Sequence, residues 1–242
     1  MQNHVLAEEA LLLHRMNEKI IRCKLCPRLV KYVREVANTK TKKRLDQSYW
    51  AKPVPTFGDP KAKLLIIGLA PAANGGNRTG RIFTGDSSGD WLVKALFETG
   101  FANKPISVSK DDGLILIDAY LTAAVRCAPP QNKPSTSELL NCSKYLKSEI
   151  KILEKTTKVI VTLGKIAFDA YCQVCHVKDL KFGHNKVYPL RNDKTLIVSY
   201  HPSRRNTNTG TLTWQMWINI FETARLLINN KSIRTHEDKT KK

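Results

Sequence analysis

The sequence predicts an α/β protein in which helices cover both faces of a mostly parallel sheet. Four apolar runs of strand length recur along the chain, and segments with helical spacing separate them. Strands that alternate with helices are typical of parallel sheets, because each connection must cross one face of the sheet. A glycine-rich stretch also follows the first apolar run directly, at the edge where open α/β sheets bind ligands.

The predicted elements follow one another along the chain. Helical spacing marks residues 5–21 and 28–37, and a polar segment with three prolines then predicts a long loop. The predicted strands are residues 64–68, 114–122, 159–163 and 196–199. The later helices are predicted at residues 89–98, 137–153, 165–177 and 213–228, with a capping-box spacing at Ser135 and Glu138. We expect one domain over residues 1–230 and a disordered basic tail over 231–242.

The net charge indicates a polyanionic partner. Forty basic and twenty-one acidic side chains give +19 at pH 7, and the excess runs along the whole chain. A lysine-rich solvated surface is the competing explanation for the same composition. No apolar run reaches the roughly 18 residues of a membrane span. The N-terminus has acids and no basic leader, so we expect a cytosolic chain without a signal peptide.

The glycine-rich stretch, GLAPAANGGNRTGRIFTGDSSG over residues 68–89, combines much bare backbone with few chemical groups. It holds six glycines, two arginines, one phenylalanine and a single acid, Asp86. Glycine lets the backbone approach a ligand closely, and the position after a parallel strand favours a ligand site. The stretch matches neither the phosphate-binding loop nor the dinucleotide fingerprint. The competing interpretation is a turn that only joins strand to helix.

The six cysteines allow three interpretations in a reducing compartment, where disulfides are rare. In the first, four of them form one four-thiolate site that suits zinc or a four-iron cluster. In the second, two Cys-x-x-Cys pairs form a zinc site. In the third, the cysteines are small buried apolar side chains, which we favour for Cys172 and Cys175. The first site would comprise Cys23, Cys26, Cys127 and Cys142, and the second Cys23, Cys26, Cys172 and Cys175.

Several motifs together resemble those of the family 5 uracil-DNA glycosylases, an iron–sulfur branch of that superfamily. The resemblance covers about residues 20–228, and the motifs that carry it are GLAPAANGGNRTGRIFTGDSSGDWL, LTAAVRCAPPQNKPSTSEL, SYHPSRRNTNTGTLT, CKLCPRLVKYVREV and YWAKPVPTFGDPKAKLLIIG. It implies a three-layer α/β/α sandwich around a mostly parallel sheet of about four strands. It also implies removal of uracil and other deaminated bases from DNA.

The resemblance further implies a [4Fe–4S] cluster with a structural role. Its ligands would be Cys23, Cys26, Cys127 and Cys142, which agrees with the first interpretation of the cysteines. It implies a monomer that acts on double-stranded and single-stranded DNA, without a membrane. The expected location is the cytoplasm, at the nucleoid of a prokaryotic-type cell.

Two positions distinguish this chain from the related family 4 enzymes. Those enzymes typically carry Glu after the first glycine of the glycine-rich motif and Asn ahead of the strand-end cysteine, where this chain has Leu69 and Ala123. Because a pocket without the Asn amide reads the pyrimidine edge less strictly, we expect a wider range of bases that includes hypoxanthine. Asn74 departs from family 5, many members of which have His at this position.

By the same resemblance, three side chains carry the chemistry. Asp86 would orient or deprotonate the water that attacks the sugar C1′, and His201 would hydrogen-bond a uracil carbonyl. Asn132 would be a second group that positions water or base. Each also has a plainer interpretation: a helix N-cap for Asp86 (or for Asp90 in its place), a turn residue for Asn132 and an exposed loop histidine for His201.

Other motif residues are assigned to binding. Phe83 would stack on the extruded base, although it could equally be a core phenylalanine. Arg204, Arg205 and Asn206 are expected to clamp phosphates or press into the duplex, against a plainer interpretation as solvated surface. The base pocket would include Gly68, Ala70, Phe83 and Asn77, and weaker candidates for phosphate contact are Lys52, Arg78 and Arg81.

The motifs contain no lysine that stands out as a Schiff-base nucleophile. We therefore expect a monofunctional glycosylase that leaves an abasic site. The rival hypothesis is a non-catalytic, metal-stabilised nucleic-acid-binding protein. It explains the charge, the cysteines and the arginine pair equally well, and treats Asp86, Asn132 and His201 as structural.

Overall fold

A six-stranded sheet forms the centre of the structure, a computed structural model that describes residues 2–40 and 44–229. The strands are β1 (Phe57–Gly58), β2 (Leu64–Gly68), β3 (Ala119–Ala123), β4 (Val159–Leu163), β5 (Lys186–Pro189) and β6 (Thr195–Ser199). Their order is β1-β3-β2-β4-β6-β5, and the four inner strands run parallel. The predicted tail, residues 231–242, lies outside the described residues.

The four predicted strands are the four parallel ones, so the mostly parallel sheet is confirmed. The count of four is too low, because β1 and β5 add two short antiparallel edges. β3 also begins later than predicted, at Ala119. Asp118 turns the chain with a φ of 57°, and the segment ahead of it pairs only through the bridge between Ala102 and Leu116.

The predicted long helices are confirmed with ends shifted by a few residues. The helices are α1 (Gln2–Ile21), α2 (Pro27–Asn38), α3 (Gly76–Thr79), α4 (Ser87–Glu98), α5 (Thr136–Ile152), α6 (Lys165–Cys175), α7 (Arg204–Asn208) and α8 (Trp214–Asn229). The sequence did not predict α3 and α7, because helices of one turn show no hydrophobic period. None of the described helices is long and apolar enough to cross a membrane.

Side chains of the inner strands alternate between two cores. Leu64 and Ile66 of β2 enter the first core, which α4 and α8 cover, whereas Leu65 and Ile67 enter the second core, which α1, α5 and α6 cover. A strand buried on both faces needs apolar residues at every position. This arrangement explains the continuous apolar run and confirms the three-layer α/β/α sandwich.

A buried ion pair joins the segment after β3 to α5. The Arg126 and Glu149 side chains are 2% and 0% exposed, and their closest N and O atoms lie 2.5 Å apart. The Thr122 hydroxyl donates a hydrogen bond to the same carboxylate oxygen. Burial raises the pKa of Glu149, while the Arg126 charge and the Thr122 hydrogen bond oppose that rise. The pair fixes the chain just ahead of Cys127 against α5.

Replacement of Ser135 tests the capping box at the start of α5. The Ser135 hydroxyl accepts from the Glu138 amide at 3.2 Å, and the Glu138 carboxylate accepts from the Ser135 amide at 2.8 Å. We expect Ser135→Ala to lower the free energy of unfolding by about 1 kcal/mol, because a helix-terminal amide loses its acceptor. The control is Ser148→Ala on the exposed side of α5. Denaturant titrations that show the same loss for both variants would contradict the prediction.

Candidate active site

A cleft of about 750 Å³ opens at the carboxyl ends of the parallel strands. Its walls come from the segment after β2, the start of α4, the turn after Cys127 and the segment after β6. Because parallel strands end at the same edge of a sheet, residues distant in the sequence meet there. Ligand binding at this edge is therefore favoured over a turn that only joins strand to helix.

Phe83 stands in the cleft with its ring against bare backbone. A Cβ on Gly68 would lie 2.6 Å from the ring carbon Cζ, so the ring lies directly on this glycine. Phe83 has a φ of 51°, in the left-handed region, and is 6% exposed. It belongs to the first core and also lines the cleft, so it is a core phenylalanine, and its stacking on a base stays a prediction. Ala70 lines the cleft as predicted, whereas Gly68 acts as the support of the ring.

Asp86 caps α4 and also faces the cleft. Its Oδ1 atom accepts from the amides of Ser88 and Gly89 at 3.0 and 3.1 Å. Its Oδ2 atom lies so close to Gly75 that a Cβ there would overlap it. Burial raises the pKa of Asp86, and the two amide hydrogen bonds oppose that rise. The capping interpretation is thus confirmed for Asp86, and the alternative that Asp90 caps the helix is wrong.

His201 reaches the same cleft from the end of β6. Gly164, with a φ of 90°, lies against it, and a Cβ on this glycine would lie 3.2 Å from the histidine Cβ. The Asn206 amide donates to the His201 carbonyl at 2.9 Å. Burial lowers the pKa of His201 to about 4. The imidazole is therefore neutral at pH 7 and can serve as a fixed hydrogen-bond donor.

Asn132 lies in a tight turn that lines the opposite part of the cleft. Gln131 and Asn132 have φ values of 54° and 57°, and both contribute to the wall. Consecutive non-glycine residues in the left-handed region are strained, and such strain is common at functional sites. Asn132 is therefore a turn residue in the cleft wall, and its role in positioning water or base stays a prediction.

Arg204 and Arg205 are exposed at the rim of the cleft, as expected for contacts with a polyanion. Asn206 does not fit this prediction, because its side-chain amide is engaged with the His201 carbonyl inside the loop. Asn77 is not a pocket residue either. It is fully buried and donates to the carbonyls of Val33 and Ala73, so it joins the glycine-rich segment to α2.

The three weaker candidates for phosphate contact also differ in how exposed their side chains are. The prediction for Arg81 is wrong, because its side chain is only 4% exposed. Its guanidinium forms an ion pair with Asp112, with 2.7 Å between the closest N and O atoms. Arg78 is half-buried and donates to the carbonyls of Asn74 and Gly85. Lys52 is exposed and lies over the Trp50 ring.

Several residues in the cleft wall were missed in the sequence, including three polar ones that lie outside the glycine-rich stretch and the His201 loop. These three are Tyr32 on α2, Arg44 in the following segment and Gln131. The first two precede β2 by twenty residues or more, and only the tertiary fold brings them to the cleft. Gln131 stands beside the predicted Asn132 in a proline-rich turn, which is the one signal that could have identified it.

Asn74 has a defined partner despite its departure from the family pattern. The Tyr49 hydroxyl donates to its Oδ1 atom at 2.8 Å, and Asn74 lines the cleft. Tyr49, from the long loop, therefore supplies the hydrogen-bond donor at this position.

Four cysteines lie together behind the cleft, and we call them the cysteine cluster: Cys23, Cys26, Cys127 and Cys142. The last three are buried in one group with Leu29 and Val33 of α2, and Cys23 is close enough to act on all three electrostatically. Burial raises the pKa of Cys142 to about 11, although the Arg126 amide donates to its sulfur. Burial, and then repulsion between the thiols, also raises the pKa of Cys127. Burial also raises the pKa of Cys26, and three thiols that resist ionisation fit a site where bound cations compensate thiolate charge.

The other two cysteines are elsewhere. Cys172 and Cys175 lie on α6 and pack against the second core, so the structure does not bring the two Cys-x-x-Cys pairs together. This favours their interpretation as apolar side chains. Among residues 2–40 and 44–229, no three His, Cys, Asp or Glu side chains form a group that could hold a metal ion as they stand.

Comparison with known proteins identifies the family. Residues 55–225 match the family model of the uracil DNA glycosylase superfamily. The chain is 47% identical over 207 residues to a type-5 uracil-DNA glycosylase of Thermus thermophilus, which covers 85% of this chain and 93% of that protein. A type-5 enzyme of Pyrobaculum aerophilum is 44% identical over 196 residues, covering 81% and 84%.

Type-4 relatives are more distant. A type-4 uracil-DNA glycosylase of Sulfurisphaera tokodaii is 30% identical over 154 residues, which cover 63% of this chain and 54% of that protein. This difference agrees with the assignment drawn from Leu69 and Ala123. With the fold, the cleft and these similarities taken together, the chain belongs to the type-5 family of uracil-DNA glycosylases.

Proposed function

We propose that Asp86, His201 and Phe83 act together on a deaminated nucleotide that is flipped out of DNA into the cleft. The chain is a DNA glycosylase that excises uracil from DNA and so serves DNA repair. The observation that carries the residue roles is their convergence. A helix-capping carboxylate and an aromatic ring from the segment after β2, and a neutral imidazole from the segment after β6, line one cleft.

The proposed reaction is hydrolysis of the N-glycosidic bond. The bond between C1′ and the base breaks, and its electron pair leaves with the base. Water adds to C1′ as hydroxide, and Asp86 takes its proton. A carboxylate beside C1′ also stabilises the positive charge that develops on the sugar. The products are a free base and an abasic site.

His201 would stabilise the leaving base. A carbonyl oxygen of uracil gains negative charge as the bond breaks, and a fixed N–H donor stabilises that charge. The neutral imidazole suits this role, because it already carries a donor and needs no proton uptake at pH 7. The contacts of Gly164 and Asn206 hold this loop in place, so little reorganisation is required.

The side chains at the pocket support excision of a wider range of bases than uracil alone. Leu69 lines the cleft and offers no polar group, and Ala123 is paired with Gly68 in the adjacent strand. Neither position supplies the carboxylate or amide that the family 4 motif has there. A site without hydrogen bonds to one particular edge rejects other bases weakly. Excision of hypoxanthine is therefore part of the proposal.

We further propose that the chain acts as a monomer on double-stranded and single-stranded DNA. Arg204 and Arg205 are exposed at the cleft and would contact phosphates in either substrate. The relatives named above come from prokaryotes. This supports activity in the cytoplasm of a prokaryotic-type cell, at the nucleoid.

The cysteine cluster is proposed to hold a [4Fe–4S] cluster with a structural role. When bound, the group would supply four iron–thiolate bonds that join α2 to the turn after β3 and to α5. Support comes from the donor set, which is four thiols without histidine. Cys26 is also the N-cap residue of α2, so its position fixes where that helix begins.

Substitution of Asp86 and His201 tests the proposed catalysis. We expect Asp86→Asn and His201→Ala each to lower the single-turnover excision rate by about 100-fold or more, with DNA affinity retained. A labelled duplex with one U opposite G, treated with alkali after reaction, measures the rate. Asp90→Asn, an exposed neighbour on the same helix, should keep the wild-type rate.

The same assay separates the alternatives. A non-catalytic DNA-binding protein would give no alkali-dependent cut with any base. Strict rejection of hypoxanthine would overturn the wider range, and a covalent adduct trapped by borohydride would overturn the monofunctional mechanism.

The pH dependence of stability tests the state of His201. Its pKa is about 4 in the folded chain against an ordinary value of 6.5, so the unfolded state takes up a proton first as pH falls. This group's contribution to stability should be complete above about pH 6.5 and decline down to about pH 4. We expect wild type to lose more unfolding free energy than His201→Gln between pH 7.5 and 5, in urea titrations. Equal losses in the two proteins would show that His201 titrates normally.

Iron analysis tests the proposed cluster. Chain purified without oxygen should contain about four iron and four sulfide per molecule, as the [4Fe–4S] formula requires. Cys127→Ser should lose iron and the associated visible absorption, whereas Cys172→Ser and Cys175→Ser should keep both. Stoichiometric zinc, or iron retained by Cys127→Ser, would refute the ligand assignment.

A further inference from the structure

The two loops that carry Asp86 and His201 are joined by side chains at the start of α4. These loops follow different strands, β2 and β6, and are separated by more than a hundred residues. The Ser88 hydroxyl donates to the carbonyl of Pro202, the residue after His201, at 3.0 Å. Arg204 Nε donates to the Ser87 hydroxyl at 3.1 Å. The contacts cross the cleft rim at the point where the two loops meet.

Ser88 is distinct because it contacts both loops. Its backbone amide donates to Asp86 Oδ1 at 3.0 Å, while its hydroxyl bonds the Pro202 carbonyl. One residue thus fixes the carboxylate through its main chain and the histidine loop through its side chain. Ser88 therefore joins the Asp86 carboxylate and the His201 loop directly, in addition to the sheet beneath both loops.

The loop around His201 can transmit this constraint because it is internally fixed. Pro202 is buried, and the Ser203 hydroxyl caps α7 by accepting from the Asn206 amide at 3.3 Å. The Asn206 side chain returns to the His201 carbonyl. A hydrogen bond to the Pro202 carbonyl therefore holds the segment as a unit. It sets where the imidazole stands relative to the carboxylate.

We propose that Ser88 is a positioning residue for base excision, and that its hydroxyl fixes the position of the His201 loop relative to Asp86. The inference rests on the roles proposed above for those two residues. It assigns Ser88 no contact with the reacting atoms. A donor displaced by about 1 Å from the developing charge can cost on the order of 100-fold in rate, so a single interloop hydrogen bond is enough to matter.

The test compares variants that remove or retain the hydroxyl. Ser88→Ala keeps the backbone amide that binds Asp86, so the cap of α4 is preserved. We expect its single-turnover excision rate to fall by about 10-fold to 100-fold, with the Kd for uracil-containing DNA within about twofold of wild type. Ser88→Thr keeps a hydroxyl and should recover most of the rate. Ser148→Ala, a distant serine on α5, should excise at the wild-type rate.

A double-mutant cycle shows whether Ser88 acts through His201. We expect the Ser88→Ala loss to disappear in the His201→Ala background, because the loop then carries no donor to misplace. Equal losses in both backgrounds would overturn the proposal. A wild-type rate for Ser88→Ala would also overturn it. A raised Kd with an unchanged rate would instead make Ser88 a DNA contact, and so refute the positioning role.

The outcomes separate this inference from the proposed catalysis. If Asp86→Asn and His201→Ala collapse the rate and Ser88→Ala does not, only the positioning role fails. If all three variants excise uracil as wild type does, the proposed roles of Asp86 and His201 fail first.

Discussion

The cleft is shaped by close packing of glycine backbone against the Phe83 ring and the Asp86 carboxylate. Side chains on Gly68 and Gly75 would collide with Phe83 and with Asp86, and one on Gly89 would meet the Phe83 carbonyl. Phe83 and Asp86 are thus held between the segment after β2 and the start of α4. The glycines in this stretch leave room for the two side chains as much as for a ligand.

The electrostatics of the cleft follow from burial and from hydrogen bonds at a helix start. Burial raises the pKa of Asp86, and two amides of α4 oppose the rise, as does the Arg204 charge more weakly. Burial alone lowers the pKa of His201. The two amide hydrogen bonds favour the ionised form of Asp86, and burial favours the neutral form of His201. In the proposed reaction, these two forms would match the charges of the separating sugar and base, which are positive on the sugar and negative on the base.

The cysteine cluster and the cleft share a wall. Val33 on α2 packs with the cysteines, and Tyr32, its neighbour, lines the cleft. Asn77 of the glycine-rich segment is buried and donates a hydrogen bond to the Val33 carbonyl of α2. This hydrogen bond joins the two segments directly. This explains why Asn77, which the sequence assigned to the base pocket, has a structural role instead. A change in α2 would reach the substrate wall through these contacts.

The sequence by itself determined the parallel strands, the long helices, the cap at Ser135 and the motif residues that meet in the cleft. Apolar runs, capping spacings and strand ends are local features, so the chain records them directly. Only the tertiary structure decided which polar motif residues face inward, as Asn77, Arg81 and Asn206 do. It also brought Tyr32 and Arg44 to the cleft and the short edges β1 and β5 to the sheet. The direction of a polar side chain depends on partners distant along the chain, and local spacing carries no information about those partners.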